Sequence, residues 1–328
     1  MNGLELCRRY YEEYGVPMLE RFPAIRCRIA AGLCGSGSEC FGYDDAVSRD
    51  HDFEPGFVLF LTAEDTKDRK TVFQLERAYD ALPKEFLGVK RERMAPVGGR
   101  RHGVIGTADF FFGKCGSPDG VLSPRAWLTL PEQSLAEAVN GEIFFDPLGE
   151  VTRIRERLAF FPEDIRRKKL AGQLLLMKQA GSYNYLRILA HGEEGAAQLA
   201  VIEFAKAAMG AVFLLNRRYR PFYKWAFRAL RELPLLGELA DSFEYLLTSD
   251  NGKESVPVKT AVIGDVCALV LAETRRQGLT DGFRGQFSDA PDNPENKEDP
   301  DDPEAAAYAV NDGIADGEIR NLHILAGV

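Results

Sequence analysis

The stretch Gly35-Ser36-Gly37-Ser38-Glu39-Cys40-Phe41-Gly42-Tyr43-Asp44-Asp45-Ala46-Val47-Ser48-Arg49-Asp50-His51-Asp52-Phe53 decides how this chain is read. It lies between IRCRIAAGLC (25–34), where Ile25, Cys27 and Ile29 alternate as on a strand, and FVLFLT (57–62), which reads as a buried strand. Small residues in the loop let backbone N–H groups come close to an anion, and the serine hydroxyls add donors. Asp50 and Asp52 stand two residues apart, so on extended backbone they project to the same face. Two adjacent carboxylates repel unless a cation lies between them. Magnesium, a hard ion that prefers oxygen and keeps substrate phosphates as co-ligands, suits that position.

Working outward, the first 150 residues alternate helical and strand patterns. Residues 4–22 read as a helix interrupted near Gly15-Val16-Pro17. Val72, Leu75, Tyr79 and Leu82 predict an amphipathic helix that ends at Pro83. Residues 103–112 and 141–146 are further strand candidates. From about residue 150 the pattern is helical. Val151, Ile154 and Leu158 share a face; residues 164–186 form a long helix; Ala197, Val201, Phe204, Ala208, Val212 and Leu215 form another stripe; residues 258–277 give one more. Pro221 and Pro234 punctuate this half, and Arg166-Arg167-Lys168-Lys169 reads as a solvated helix face. The expectation is an α+β protein. An α/β-type domain with a mixed sheet (1–150) precedes an α-helical bundle (151–285) and an acidic, proline-rich linker with a C-terminal tail (286–328).

Hydrophobic residues make up 45% of the 328 and charged residues 28%, enough for a sizeable core. The net charge of −9 speaks against bulk nucleic-acid binding. SDAPDNPENKEDPDDPE (288–304) carries −7 of it, leaving −2 for the rest of the chain. That segment holds four prolines and almost no apolar residues, the composition of a linker. The tail beyond it regains apolar character and is expected to dock on the body or on a protein partner. No run approaches the ~18–20 consecutive apolar residues of a membrane span. The opening MNGLELCRRYYEEYG has charges where a signal peptide has its apolar stretch. Six scattered cysteines without a CxxC pair predict reduced thiols and a cytoplasmic location.

The Gly-Ser pair, eleven residues and then Asp-x-Asp resemble the signature of the polymerase-beta-type nucleotidyltransferase superfamily, which small aminoglycoside and lincosamide adenylyltransferases share. Over residues 30–235 the chain is similar to an uncharacterised bacterial family in which GSGS, GYDD and SRDHD occur together. That family also has a GxIFFDPxG-like strand and LLNRRYxPFYKW in a helical part. The resemblance implies that Gly37 and Ser38 hold nucleotide phosphates, with Ser36 next to them, and that Asp50 and Asp52 bind magnesium. It also implies a third carboxylate, with Asp109 and Asp146 as the two candidates. His51 stands where the superfamily is apolar, and Glu54-Pro55-Gly56 interrupts the strand after the pair. Asp44 and Asp45 read as turn or capping residues. In Asn216–Trp225, Arg217, Arg220 and Lys224 are interleaved with Tyr219, Tyr223 and Trp225. Lys224, Arg217 and Tyr223 are the expected triphosphate and base contacts. The implied activity is transfer of AMP from ATP to a hydroxyl of a small molecule or protein. The alternative is a non-catalytic nucleotide-binding regulatory module.

Overall fold

The computed structural model describes residues 1–45, 53–91, 102–281 and 302–328. The chain divides into two compact units, Met1–Leu122 with Leu130–Ala159, and Ser123–Thr129 with Phe160–Val328.

The first unit is built on a four-stranded sheet of β1 (Ala30–Leu33), β2 (Val58–Leu61), β3 (Gly103–Gly106) and β4 (Glu142–Phe145) in the order β3-β2-β1-β4. Strand β1 runs antiparallel to β2 (Gly32 opposite Val58) and to β4 (Leu33 opposite Glu142), while β2 and β3 are parallel. The sheet is therefore mixed, as the alternating pattern predicts. Two expected strands are shorter than read. Pro23–Arg26 is a helical turn, because proline's fixed φ suits a first helical position, so the alternation of Ile25, Cys27 and Ile29 is not a strand. The strand expected over 103–112 stops at Gly106, and Thr107–Cys115 is helical.

Helix α1 (Gly3–Tyr10) passes through a π turn at Tyr11–Gly15 into a short helix Val16–Glu20, the break falling beside Pro17, which has no N–H to donate. Helix α2 (Arg69–Asp80) starts where the Asp68 side chain accepts from the Thr71 N–H. Leu6, Tyr10 and Leu19 from the N-terminal helices, with Leu75 and Tyr79 from α2, pack on Ala31, Leu59 and Leu61 of the sheet. On the other face Phe60 meets Phe110 of α3 (Thr107–Cys115) edge-on at 5.2 Å. A strand buried on both faces has no polar alternation, which is why 57–61 reads as an unbroken apolar run. Helices α4 (Glu132–Val139) and α5 (Glu150–Arg157) complete the unit.

The second unit is helical. Helix α6 (Glu163–Met177) continues through a π turn into Tyr185–Ala190, followed by α7 (Glu194–Leu215), α8 (Tyr223–Arg231), α9 (Leu239–Thr248), α10 (Ser255–Arg276) and α11 (Pro303–Asp312). Helices α7 and α10 are long and apolar enough to cross a bilayer by length and composition, although 67% of the apolar window of α7 is buried within the protein.

The basic run of α6 is not a solvated face. Arg166, Lys168 and Lys169 are buried, and their donors reach carbonyl groups far along the chain. The Lys168 ammonium donates to Asn311 Oδ1 (2.8 Å), the Arg320 carbonyl (3.1 Å) and the Leu322 carbonyl (2.6 Å). Lys169 donates to the Gly327 carbonyl at 2.7 Å and lies 5.1 Å from the centre of the Phe161 ring. Asp164 accepts from the Ala315 and Asp316 N–H groups. The tail therefore docks on α6 as part of the second unit. Burial lowers the Lys168 pKa, and the three acceptors hold the charge in place. Truncation of residues 303–328 is expected to remove these partners, leaving Lys169 the Leu128 carbonyl, and to lose the buried Ala307, Val310, Ile314 and Ile319, destabilising the protein by roughly several kcal/mol. Lys168→Met, which removes the charge and leaves only neutral acceptors unpaired, should cost less, about 1–3 kcal/mol. Urea denaturation of the three proteins checks the order; a truncated chain as stable as the full one would contradict it.

Candidate functional site

Leaving β1, the chain turns within a few residues into a single helical turn, Ser38–Phe41. Gly35 and Gly37 make this possible with φ of +111° and +129°, values that side-chain-bearing residues rarely adopt. Asn140, entering the neighbouring strand β4, fixes the loop. Its Oδ1 accepts from the Gly35 N–H and its Nδ2 donates to the Gly35 carbonyl, both at 2.8 Å. Ser38 is buried, and its hydroxyl bonds to no described residue. Asp44, expected to cap or turn its own loop, instead accepts through Oδ2 from the Gly3 N–H at the start of α1 at 2.8 Å, and its Oδ1 is buried with no partner among the described residues.

Strand polarity decides what shares the loop's end of the sheet. Because β1 is antiparallel to β2 and β4, and β3 is parallel to β2, the chain leaves β1 at the end where it enters β2, β3 and β4. Entering residues there are Glu54, His102 and Asn140. Glu54 Oε1 lies 3.1 Å from His102 Nδ1, with the two side chains only 10% and 5% exposed. Glu54 Oε2 is buried and has no hydrogen-bond partner among the described residues. The imidazole packs so closely on Gly56 that a Cβ there would stand 2.5 Å from Nδ1, so no other residue fits without displacing the ring.

Both acids expected as the third carboxylate fall at the opposite end. Asp109 is exposed in the first turn of α3, just past Gly106, which pairs with Leu61 at the far end of β2. Asp146 follows Phe145, which pairs with Ala31, and its Oδ2 accepts from the Thr152 N–H and hydroxyl, each at 2.8 Å. Asp146 is thus a turn residue that helps start α5. Acids at the loop's own end include Glu39, Asp44 and Glu142, the last paired with Arg8, and Glu54, which enters β2. The sequence signal of Glu54 is the continued alternation of acids at 50, 52 and 54.

Asp50, Asp52 and His51 lie outside the described residues. Among the described residues, no three His, Cys, Asp or Glu side chains are grouped as metal ligands would be. Oxygen donors of the kind the alternation supplies, with one buried Glu54 oxygen unclaimed, suit a hard divalent ion.

Cations reach the loop from within the first unit, which the sequence reading did not expect. Lys114, in the last turn of α3, pairs with Glu137 Oε2 at 2.5 Å, and Arg155 of α5 donates to the Val139 carbonyl at 2.8 Å. Both act on Cys34, the residue before Gly35. Burial pushes that thiol up to about 11, and the two positive charges partly oppose the shift.

The other expected nucleotide contacts stand in the second unit. Arg217, in the left-handed conformation at the end of α7 (φ +53°), pairs with Glu163 Oε2 at 2.6 Å. Arg220 donates to the Lys206 carbonyl. Lys224 Nζ lies 5.0 Å from the centre of the Trp225 ring, and Tyr223 is 77% exposed. Tyr219 is buried against Phe160 and Phe161 and serves as a packing residue.

A family model described as a domain of unknown function (DUF4037) matches residues 127–226. No curated protein and no solved structure matches the chain.

Asn140→Ala would leave the Gly35 N–H and carbonyl without their partner. It is expected to cost about 1–3 kcal/mol in urea denaturation and to speed amide hydrogen exchange in the loop. Unchanged exchange at Gly35 would show that the loop holds its shape without the clamp.

Proposed function

We propose that the protein is a magnesium-dependent nucleotidyltransferase that moves AMP from ATP to a hydroxyl group of a small molecule or a protein. The observation that supports this reading is that the Gly35–Ser38 loop and the buried Glu54 side chain, one of whose oxygens has no partner among the described residues, lie at the same end of the first unit's sheet.

In this reading the loop holds the phosphates through backbone N–H groups and the free Ser38 hydroxyl. Asp50, Asp52 and Glu54 hold the metal, with His102 keeping Glu54 in one orientation through Nδ1. Magnesium, when bound, neutralises triphosphate charge and makes the acceptor hydroxyl easier to deprotonate. The acceptor oxygen bonds to the α-phosphorus, the α–β bridging bond breaks, and pyrophosphate leaves with its electron pair. The hydroxyl proton passes to a carboxylate oxygen of the site. The six cysteines, all without disulfide bonds, suit the cytoplasm as the place of reaction.

The test is binding of a fluorescent ATP analogue with and without magnesium, together with pyrophosphate release from ATP in the presence of candidate acceptors. Asp52→Asn should abolish the magnesium-dependent part of binding. Glu54→Gln should keep binding within about tenfold and lower pyrophosphate release by about 10²–10⁴-fold, the range for loss of a proton-transfer or metal-holding group. Binding by the unaltered protein that is the same with and without magnesium would refute the proposal. Magnesium-dependent binding with no release under any acceptor would favour the regulatory module instead.

A further inference from the structure

Lys114 stands beside the loop in a way that a helix-to-helix ion pair does not require. Helix α3 runs back from Gly106, and its last turn brings the Lys114 Nζ and Cε to 3.9 Å from where a Cβ on Gly35 would stand. Gly35 has no side chain there, so nothing from that residue separates the ammonium from the loop backbone. Asn140 holds the same residue from both its N–H and its carbonyl, so the loop keeps its position relative to α3. Glu137 Oε2, at 2.5 Å, is the one hydrogen-bond partner of Lys114 among the described residues. An ammonium has three N–H donors, so two remain. The Lys114 and Glu137 side chains are 22% and 21% exposed, open enough for a ligand to reach them and enclosed enough that their charges are not fully screened.

We propose that Lys114 is the phosphate-binding cation of the Gly35–Ser38 loop, contacting the β- and γ-phosphates of a nucleoside triphosphate, with Glu137 as the internal counter-ion that holds it when no nucleotide is bound. This rests on the nucleotide reading of the loop given above. The phosphate donates nothing to Glu137; it competes with that carboxylate for the ammonium. The two partners therefore act on binding with opposite signs. Removing the cation weakens binding, whereas removing the counter-ion leaves it free for phosphate. A purely structural ion pair behaves differently, because loss of either partner breaks the same contact.

The experiment titrates the unaltered protein, Lys114→Met, Glu137→Gln and Asp52→Asn with fluorescent ATP and, separately, fluorescent AMP, in magnesium chloride at low salt. Lys114→Met is expected to weaken ATP binding by about 10- to 100-fold, the range of a charge-assisted hydrogen bond, with AMP binding changed far less. Glu137→Gln is expected to bind ATP as tightly as the unaltered protein or more tightly. If both variants weaken ATP and AMP alike, the pair is structural and the proposal is overturned. It is equally overturned if Lys114→Met binds ATP normally while Asp52→Asn does not, a result that leaves the nucleotide reading intact. If the unaltered protein binds neither nucleotide, the nucleotide reading itself fails and the proposal falls with it.

Discussion

The antiparallel pairing of β1 with both of its neighbours is the constraint on which the candidate site depends. It brings three chain entries, at Glu54, His102 and Asn140, to the place where the Gly35–Ser38 loop leaves the sheet. Residues separated by more than a hundred positions then make specific contacts there, as Asn140 does with Gly35. The same pairing sends Asp109 and Asp146 to the other end, where their chemistry is that of a helix start and a turn. A one-residue change of register would turn every side chain of a strand to the other face, and the burial of β2 on both faces makes such a slip costly on either side.

Much of this was legible in the residues. The apolar run at 57–61, the helix carrying Leu75 and Tyr79, the break beside Pro17 and the helical second half follow from local pattern, because local pattern is what fixes them. The loop was legible as well, since Gly35 and Gly37 are needed wherever a strand turns so sharply. Misreadings came where two periods fit the same letters. Residues 103–112 contain enough apolar and β-branched residues to pass for a strand, yet Thr107, Phe111 and Cys115 recur every four positions and are the buried ones. The role of Asn140 was not legible, because an Asn before a Gly reads as a turn until the residue it clamps is known.

The basic run of α6 shows the same limit from the side of charge. Four consecutive cations have no local acid to neutralise them beyond Glu163 and Asp164, so solvent exposure is the natural reading. Burial is tolerable because oxygens from residues 311–327, about 150 positions away, converge on the ammonium groups, with the Leu128 carbonyl as a further acceptor for Lys169. Such long-range satisfaction is the general condition for burying a polar group, and sequence alone does not reveal it. It also gives the tail a clear task within the second unit: it supplies the acceptors without which α6 could not pack as it does.

Charge balance at the loop follows from the same reasoning. A triphosphate brings several negative charges to a place where Glu54 already holds one carboxylate and the sequence places Asp50 and Asp52 close by in the chain. In a partly dry site those charges repel strongly, and a bound divalent ion offsets only some of them. An enzyme of the proposed kind therefore needs a protein cation near the phosphates. The sequence reading sought it in the second half, at Lys224, because the residues around Asp50 offer little besides Arg49. The fold offers one within the first unit itself. Lys114 is 76 residues from Ser38 in sequence and is brought to the loop by a helix that reverses the direction of β3. Its pairing with Glu137 compensates the ammonium itself when no anion is bound. Without that carboxylate, a partly enclosed ammonium would stand uncompensated beside Cys34, whose buried thiol has no charge to give at neutral pH.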